Sequence, residues 1–209
     1  MLRILIADDH TIVRRGLKQI LTEEFSNAVI DEVPDAEELI KKVMSEKWDV
    51  VVSDLSMPGR SGLDALQQIK SSFPDLPVLI LSIHPEEQYA LRALKSGASG
   101  YLSKDTAPDE LVKAVKKVLL GKKYISQSIA EKLADSFSTN TNKQLHETLS
   151  DRELDVMKLL ANGKSVSDIA EMLSLSVTTV STYRARVMAK MNLKSNSDLT
   201  KYAIENKLI

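Results

Sequence analysis

The first 121 residues alternate between short apolar runs and longer stretches in which apolar residues recur at helical spacing. This alternation limits the possible folds more than any other feature of the chain. The runs, rich in Val, Ile and Leu, predict strands at Leu2–Ala7, Val29–Val33, Val50–Ser53, Val78–Leu81 and Gly100–Leu102. The stretches predict helices at Thr11–Glu24, Ala36–Ser45, Leu63–Ser72, Glu86–Ser96 and Pro108–Leu120. Strict alternation favours parallel strands joined by right-handed crossovers, hence an α/β domain with an open sheet covered by helices on both faces.

The first, third and fourth predicted strands are apolar at consecutive positions rather than at alternate ones. A strand that is apolar on both faces is buried on both faces. We therefore expect these three strands to form the centre of the sheet.

The organisation of the chain changes after Ile125. Residues Ser136–Thr148 contain few apolar side chains and are predicted to be a linker, although Ser128–Phe137 could extend a helix out of the first domain. From Leu149 onward there is no strand signal, and helical patterns follow one another closely. With 209 residues the chain is long enough for two domains. We predict an α/β domain at 1–122, a partly helical linker at 123–148 and an all-α four-helix domain at 149–209.

Three helices of the second domain have recognisable starts. Each begins with a Ser followed three residues later by an acid, and the pairs are Ser150 with Glu153, Ser165 with Asp168, and Ser195 with Asp198. In a capping box of this kind the Ser side chain accepts an early amide hydrogen and the acid reaches back to the amide of the Ser. The pairs therefore predict helices that start at these three positions.

Charged and polar residues follow the predicted strands of the first domain. Asp8 and Asp9 follow strand 1, Asp54 follows strand 3, Ser82 follows strand 4 and Lys104 follows strand 5. The carboxyl ends of parallel strands meet at one edge of the sheet, which is where open α/β sheets bind ligands. Crowded carboxylates repel one another unless a cation joins them. Because the set offers hard oxygen ligands without His or Cys, it predicts a Mg²⁺ site.

Such a site suits phosphoryl transfer to a carboxylate. Asp54 is the best attacking group, since it ends a buried strand and the turn at residues 56–59 lets backbone groups approach a phosphate. Asp8 and Asp9 would hold the metal, and Lys104 would neutralise charge on the phosphoryl oxygens. Taken singly, each acid could simply cap the following helix, but the complete set favours a functional site.

These residues resemble the receiver domain of two-component response regulators, and the resemblance covers residues 1 to about 122. It implies a flavodoxin-like, five-stranded parallel sheet of order 2-1-3-4-5. It also implies that Asp54 accepts a phosphoryl group from a sensor histidine kinase. The implied Mg²⁺ ligands are Asp8 (directly or through water), Asp9, Asp54 and the backbone carbonyl of Ser56. The implied phosphate-binding and switch residues are Lys104, Ser82 and the aromatic Tyr101, which would turn inward with Ser82.

The second domain contains a predicted helix-turn-helix. A short helix at Ser165–Leu173 is followed by a three-residue turn and a longer helix at Val177–Met191, which has one apolar stripe. Small and hydrogen-bonding residues lie opposite the stripe, and there is no acid between Glu171 and Asp198. The residues predicted to contact DNA are Thr178, Ser181, Thr182, Arg184, Ala185, Arg186, Lys190 and Lys194. The cations would contact phosphates, and Ser181 and Thr182 would lie nearer the base edges.

The helical domain resembles the LuxR-type helix-turn-helix, through the segment at 149–153, the Ile169–Ala170 pair and the residues from Thr179 to Met191. With the receiver before it, the whole chain is similar to NarL/FixJ-type response regulators. The resemblance implies a transcriptional regulator that becomes phosphorylated, pairs as a homodimer and binds promoter DNA. Many members have Lys at the position of Ser181 and His at that of Tyr183, so base contacts transfer to this chain by position only.

The composition of the chain also limits which other classes of protein it can belong to. The absence of Cys excludes disulfides and thiolate chemistry, and no apolar run approaches the roughly 18 residues of a membrane span, so we expect a cytoplasmic protein without a membrane partner. A receiver of this type is not an enzyme beyond promoting its own phosphorylation and dephosphorylation. Two alternatives stay open: a Mg²⁺-dependent aspartyl-phosphate phosphatase, which would need a second Asp where Ser56 stands, and a DNA-binding dimerisation module that works without phosphorylation.

Overall fold

The structure, a computed structural model, describes residues 1–57, 60–84, 86–126, 129–131 and 145–209. The chain divides into two compact units, Met1–Thr139 and Asn140–Ile209. The predicted turn residues Pro58 and Gly59, most of the helix extension at Ser128–Phe137 and the linker up to residue 144 lie outside the described residues.

The first unit contains a parallel sheet of five strands. In chain order these are β1 (Arg3–Ala7), β2 (Val29–Val33), β3 (Val50–Asp54), β4 (Val78–Ser82) and β5 (Gly100–Ser103). Their order in space is β2-β1-β3-β4-β5, which confirms the predicted fold class. Every residue of β3 and β4 is buried, and β1, β3 and β4 occupy the centre, as their continuous apolar runs predicted.

Five helices connect or follow these strands. They are α1 (Thr11–Glu24), α2 (Ala36–Ser45), α3 (Gly62–Ser72), α4 (Glu86–Lys95) and α5 (Ala107–Leu119). A core on one side of the sheet joins α1 and α5 to the central strands through Leu17, Leu21, Leu111 and Val115. α1 and α5 therefore cover this side of the sheet, and the parallel strands bring their carboxyl ends to one edge.

The chain stays attached to this unit beyond residue 122, where the sequence placed the end of the domain. Tyr124 forms an isolated bridge with Gly100 and packs partly buried against the core. A side chain at Gly100 would meet the Tyr124 carbonyl at 2.6 Å, so the absence of a Cβ permits this contact.

The second unit is helical over its described residues. After a 3₁₀ helix at Leu145–Thr148 come α6 (Asp151–Ala161), α7 (Val166–Met172), α8 (Val177–Met191) and α9 (Asn196–Glu205). Each of the three predicted Ser and acid pairs forms a complete capping box, at the starts of α6, α7 and α9. No helix among the described residues combines the length and apolar composition needed to cross a bilayer.

The end of the predicted linker forms a helical turn that contacts the second unit. Residues 145–148, which the sequence placed in the partly helical linker, form the 3₁₀ helix, and Nδ1 of His146 lies 3.0 Å from the hydroxyl of Tyr202 on α9. The two rings also meet edge to face. The polar composition hid this contact because one aromatic partner, distant in sequence, suffices to hold a single turn.

Candidate acidic site and nucleic-acid interface

The carboxyl ends of β1 and β3 bring three acidic residues together. Asp8 and Asp54 are buried, with 0% and 3% of their surface exposed, and Asp9 is half-buried. Ligand-capable atoms of these residues and of His10 all lie within 4.8 Å of one another. The proximity of His10 differs from the expectation of a site built from oxygen atoms only, although its ring is mostly exposed and pairs with Asp9 at 2.7 Å.

Lys104 lies between the two buried carboxylates. Its Nζ is 2.7 Å from Oδ2 of Asp8 and 2.9 Å from Oδ2 of Asp54. The backbone amide of Lys104 also donates to the carbonyl of Ser82, which fixes the start of the loop after β5. The predicted convergence of strands 1, 3 and 5 is therefore present in the structure.

The electrostatics of the site are dominated by burial. Burial raises the pKa of Asp54 from 3.8 to about 6; Lys104 opposes the rise and the charge of Asp8 adds to it. Burial alone would lower the pKa of Lys104, but its contacts with Asp8 and Asp54 hold that pKa above 10.5. One ammonium thus compensates two buried carboxylates only in part, so the site favours a further cation.

This shift predicts a pH dependence of stability in metal-free buffer. The folded chain keeps the Asp54 proton that the unfolded chain releases near pH 3.8, so the Asp54 contribution to stability falls as pH rises from about 4 to about 6. Asp54→Asn does not titrate. We expect the free energy of unfolding of Asp54→Asn, minus that of the wild type, to increase by up to about 3 kcal/mol between pH 4 and pH 7.

Urea titrations in EDTA at several pH values measure this difference. The matched control is Asp49→Asn, which removes a carboxylate away from the buried set. A difference for Asp54→Asn that does not vary with pH would contradict the assignment of the raised pKa.

Ser82 and Tyr101, both predicted to respond to phosphate, are joined through the backbone of His84. The amide of His84 donates to the hydroxyl of Ser82 at 3.0 Å, and the hydroxyl of Tyr101 donates to the carbonyl of His84 at 3.0 Å. The ring of Tyr101 is buried, with 3% of its surface exposed. A movement of Ser82 would therefore be transmitted to Tyr101 through one residue.

The predicted DNA-contacting residues lie on α8 and just beyond its end. All eight are exposed, whereas Val180, Val187 and Met191 on the other face are buried. Thr182 and Arg186 line a shallow depression of about 300 Å³ near the start of the helix. The sequence thus placed the two faces of this helix correctly.

Two of the four predicted phosphate contacts have partners within the unit. Lys190 Nζ lies 2.6 Å from Oε2 of Glu153, and Nε and Nη2 of Arg184 donate to Oδ1 of Asn196 at 3.2 and 3.1 Å. Burial would raise the pKa of Glu153, but its bonds with Lys190 and with the amide of Ser150 hold that pKa below the usual range.

Comparison with known families assigns both units. Residues 4–116 match the response regulator receiver domain, and residues 147–203 match the LuxR family of bacterial regulatory proteins. The chain is 40% identical to the oxygen regulatory protein NreC of Staphylococcus carnosus, over all of this chain and 99% of that protein. It is 38% identical to NreC of Staphylococcus aureus over the same shares. The chain belongs to the NarL/FixJ family of response regulators.

Solved structures of response regulators are similar to this one, two of them along nearly the whole chain. RcsB of Salmonella typhimurium is 29% identical with a TM-score of 0.61, over 97% of this chain and 98% of that one. An RcsB–DNA complex is 28% identical with a TM-score of 0.56, over 96% of each chain. A LuxR-family regulator from Aurantimonas is 35% identical with a TM-score of 0.59, over 66% of this chain. The chain is accordingly a regulator with a receiver domain and a LuxR-type DNA-binding domain.

His84 is a residue of this response regulator whose contacts its sequence did not predict. The ring of His84 stacks on Tyr89 at 4.7 Å, and its Nε2 lies 3.0 Å from the hydroxyl of Ser56. It therefore connects the loop after β3 with the loop after β4. Its position two residues after Ser82 was the available signal, but sequence spacing does not reveal the stacking partner.

Gly62 of the receiver was also missed. A Cβ at this position would lie 1.9 Å from the carbonyl oxygen of Asp54, so α3 approaches the candidate site at its first residue. The signal was a glycine immediately after the N-cap Ser61, a place where a helix gains nothing from glycine.

Proposed function

We propose that this response regulator is activated when a sensor histidine kinase transfers a phosphoryl group to Asp54, after which it binds promoter DNA as a homodimer. The observation that carries the proposal is the buried Asp54 carboxylate, 2.9 Å from the ammonium of Lys104 and clustered with the acids that follow β1. In the transfer an Asp54 oxygen forms the new bond to phosphorus while the bond from phosphorus to the donor histidine breaks.

The residues fit a Mg²⁺ ion, because the set is made mainly of hard oxygen ligands and Lys104 compensates only part of its charge. Asp8 (directly or through water), Asp9, Asp54 and the backbone carbonyl of Ser56 would hold the ion. When bound, Mg²⁺ supplies positive charge that offsets the charge of the phosphoryl oxygens. Lys104 supplies the second cation, and the hydroxyl of Ser82 is the donor that can turn toward a phosphate on Asp54.

The contacts of Ser82 suggest how phosphorylation changes the receiver. The hydroxyl of Ser82 now accepts from the amide of His84, and the carbonyl of His84 accepts from Tyr101. A phosphate adds roughly 1.5 to 2 negative charges and three acceptor oxygens, so it competes for the Ser82 hydroxyl. A change at His84 would then alter the surface around Tyr101. The receiver promotes the phosphorylation and dephosphorylation of its own Asp54, and we propose no other enzymatic activity.

The exposed face of α8 is proposed to enter the major groove, with Thr178, Ser181, Thr182 and Ala185 nearest the bases. Support comes from the family match of the second unit and from RcsB, which has been solved as dimers bound to DNA and on a promoter in the presence of phosphomimetic BeF3⁻. A single short helix makes few phosphate contacts. Pairing two copies on two half-sites would compensate through effective concentration.

Retention of DNA fragments tests this proposal. We expect the wild type to retain duplexes from a randomised library more strongly with acetyl phosphate and Mg²⁺ than without them, and to sediment as a dimer in the first condition. Equal retention and equal mass in both conditions would contradict activation by phosphorylation and favour the phosphorylation-independent alternative.

A double substitution tests the chosen face of α8. Thr182→Ala with Arg186→Ala should weaken binding of a retained duplex by at least about tenfold, since a base-edge contact and a phosphate contact are lost together. The control is Thr22→Ala with Arg15→Ala on α1, which removes the same residue types from exposed helix positions in the other unit; Thr22 even makes the same hydroxyl bond to the carbonyl four residues earlier. Equal losses in fluorescence anisotropy titrations would contradict the assigned face.

A further inference from the structure

The cations on the recognition helix α8 are not equivalent. Lys190 forms an ion pair with Glu153, and Arg184 donates to the neutral amide oxygen of Asn196. Arg186 is exposed, and no hydrogen bond or ion pair of its side chain occurs within the described part of the chain. Arg186 is therefore available to a DNA phosphate, whereas Lys190 and Arg184 already have partners inside the unit.

We propose that Lys190 is a positioning residue that fixes α8 against α6 through Glu153 and does not contact DNA phosphates. The inference goes beyond the DNA binding proposed above and rests on it. It revises the role predicted for Lys190 from the run of basic residues, because the same charge is already used inside the unit.

Glu153 is anchored independently of Lys190. It is the third residue of α6, only 3% of its surface is exposed, and its Oε2 accepts from the amide of Ser150 at 2.7 Å in the capping box. If Lys190 turned toward a phosphate, a buried carboxylate would lose its ion-pair partner. Losing one member of a buried pair costs more than an exposed ionic contact returns. Lys190 is therefore held at Glu153.

The ion pair between Lys190 and Glu153 also restricts the rotation of α8 about its own axis, which apolar packing does not fix. Val180, Val187 and Met191 hold α8 in the core, but contacts between apolar side chains are not directional. A charge-assisted hydrogen bond at 2.6 Å near the end of α8 is directional and opposes rotation of the helix about its axis. Because successive residues differ by about 100° around a helix, that rotation decides which side chains face the bases.

The test compares the salt dependence of binding among variants of the full chain. The probe is a duplex that the wild type retains from a randomised library, with the protein treated with acetyl phosphate and Mg²⁺. Arg186→Met should reduce the slope of log affinity against log salt by about 0.9 per bound protomer, as expected for one phosphate contact. Lys190→Met should weaken binding several-fold at every salt concentration with the slope unchanged, and Lys190→Arg should restore the affinity.

Glu153→Gln provides the opposite test. Glutamine still accepts from the Ser150 amide but no longer holds the ammonium, so Lys190 becomes available to a phosphate and the slope should steepen by up to about 0.9 per protomer. The double variant, Glu153→Gln with Lys190→Met, contains no unpaired buried carboxylate and keeps the test valid if Lys190→Met alone folds poorly. It should bind weakly with the wild-type slope.

Two results would overturn the inference about Lys190 while leaving the proposed DNA binding intact. One is a Lys190→Met slope reduced as much as that of Arg186→Met, and the other is a Glu153→Gln slope equal to the wild type. Failure of the wild type to retain any duplex would overturn the proposed DNA binding and the inference together, so the two failures are distinguishable.

Discussion

Asp54→Asn is expected to abolish phosphorylation of this response regulator. Incorporation of ³²P from labelled acetyl phosphate with Mg²⁺ should fall to the level of a reaction without protein. An amide nitrogen cannot replace the attacking oxygen, and Asn has no negative charge to help hold the metal. The substitution is nearly isosteric, so the end of β3 keeps its backbone bonds, including that of the Leu55 amide to the Leu81 carbonyl.

Asp105→Asn is the matched control. Asp105 is exposed, lies one residue after Lys104, and is not part of the buried pair of carboxylates. This variant should incorporate label at the wild-type rate. Full labelling of Asp54→Asn would show that a different residue accepts the phosphoryl group, and the assignment of Asp54 would be wrong.

Gly62→Ala is expected to have the largest effect on stability. The new Cβ would lie 1.9 Å from the Asp54 carbonyl oxygen and 2.9 Å from its carbon, and both are backbone atoms that cannot turn away. The start of α3 must therefore move from the end of β3, at a cost of about 3 kcal/mol in the free energy of unfolding. Because Asp54 moves too, phosphorylation should slow by at least about tenfold.

Gly16→Ala is the control, and it should change the free energy of unfolding in the opposite direction. Gly16 is exposed in the middle of α1, and a Cβ there meets no atom within 4 Å. Replacing a glycine inside a helix should raise the free energy of unfolding by about 0.5 to 1 kcal/mol. Urea denaturation measures both variants. A Gly62→Ala protein as stable as the wild type would contradict the close approach of α3 to Asp54.

The acidic site was predictable from the sequence because parallel topology brings strand ends to one edge. Asp8, Asp54 and Lys104 needed only the strand assignments to be placed together, and the structure has them at 2.7 and 2.9 Å. Their proposed roles came from the resemblance to receiver domains. The contacts of His84 were not predictable, since a ring stack on α4 depends on the path of a loop.

In the helical domain, too, local features were predictable from the sequence and contacts between distant residues were not. The Ser and acid pairs predicted the starts of three helices because a capping box is local, involving residues three apart. Basic composition predicted a DNA-facing surface but treated its cations as equal. Glu153 served in the prediction only as a cap, whereas it also accepts from Lys190, 37 residues later.

The sequence by itself determined the order of the elements, the buried strands, the helix starts and the two faces of α8, because these follow from periodicity and from contacts within a few residues. Only the tertiary structure decided that Gly62 has no room for a side chain, that His84 connects Ser56, Ser82 and Tyr101, and that Lys190 is held by Glu153. Each of these depends on how separate elements pack. Close packing assigns a partner to a side chain that is otherwise defined only by its type and its spacing.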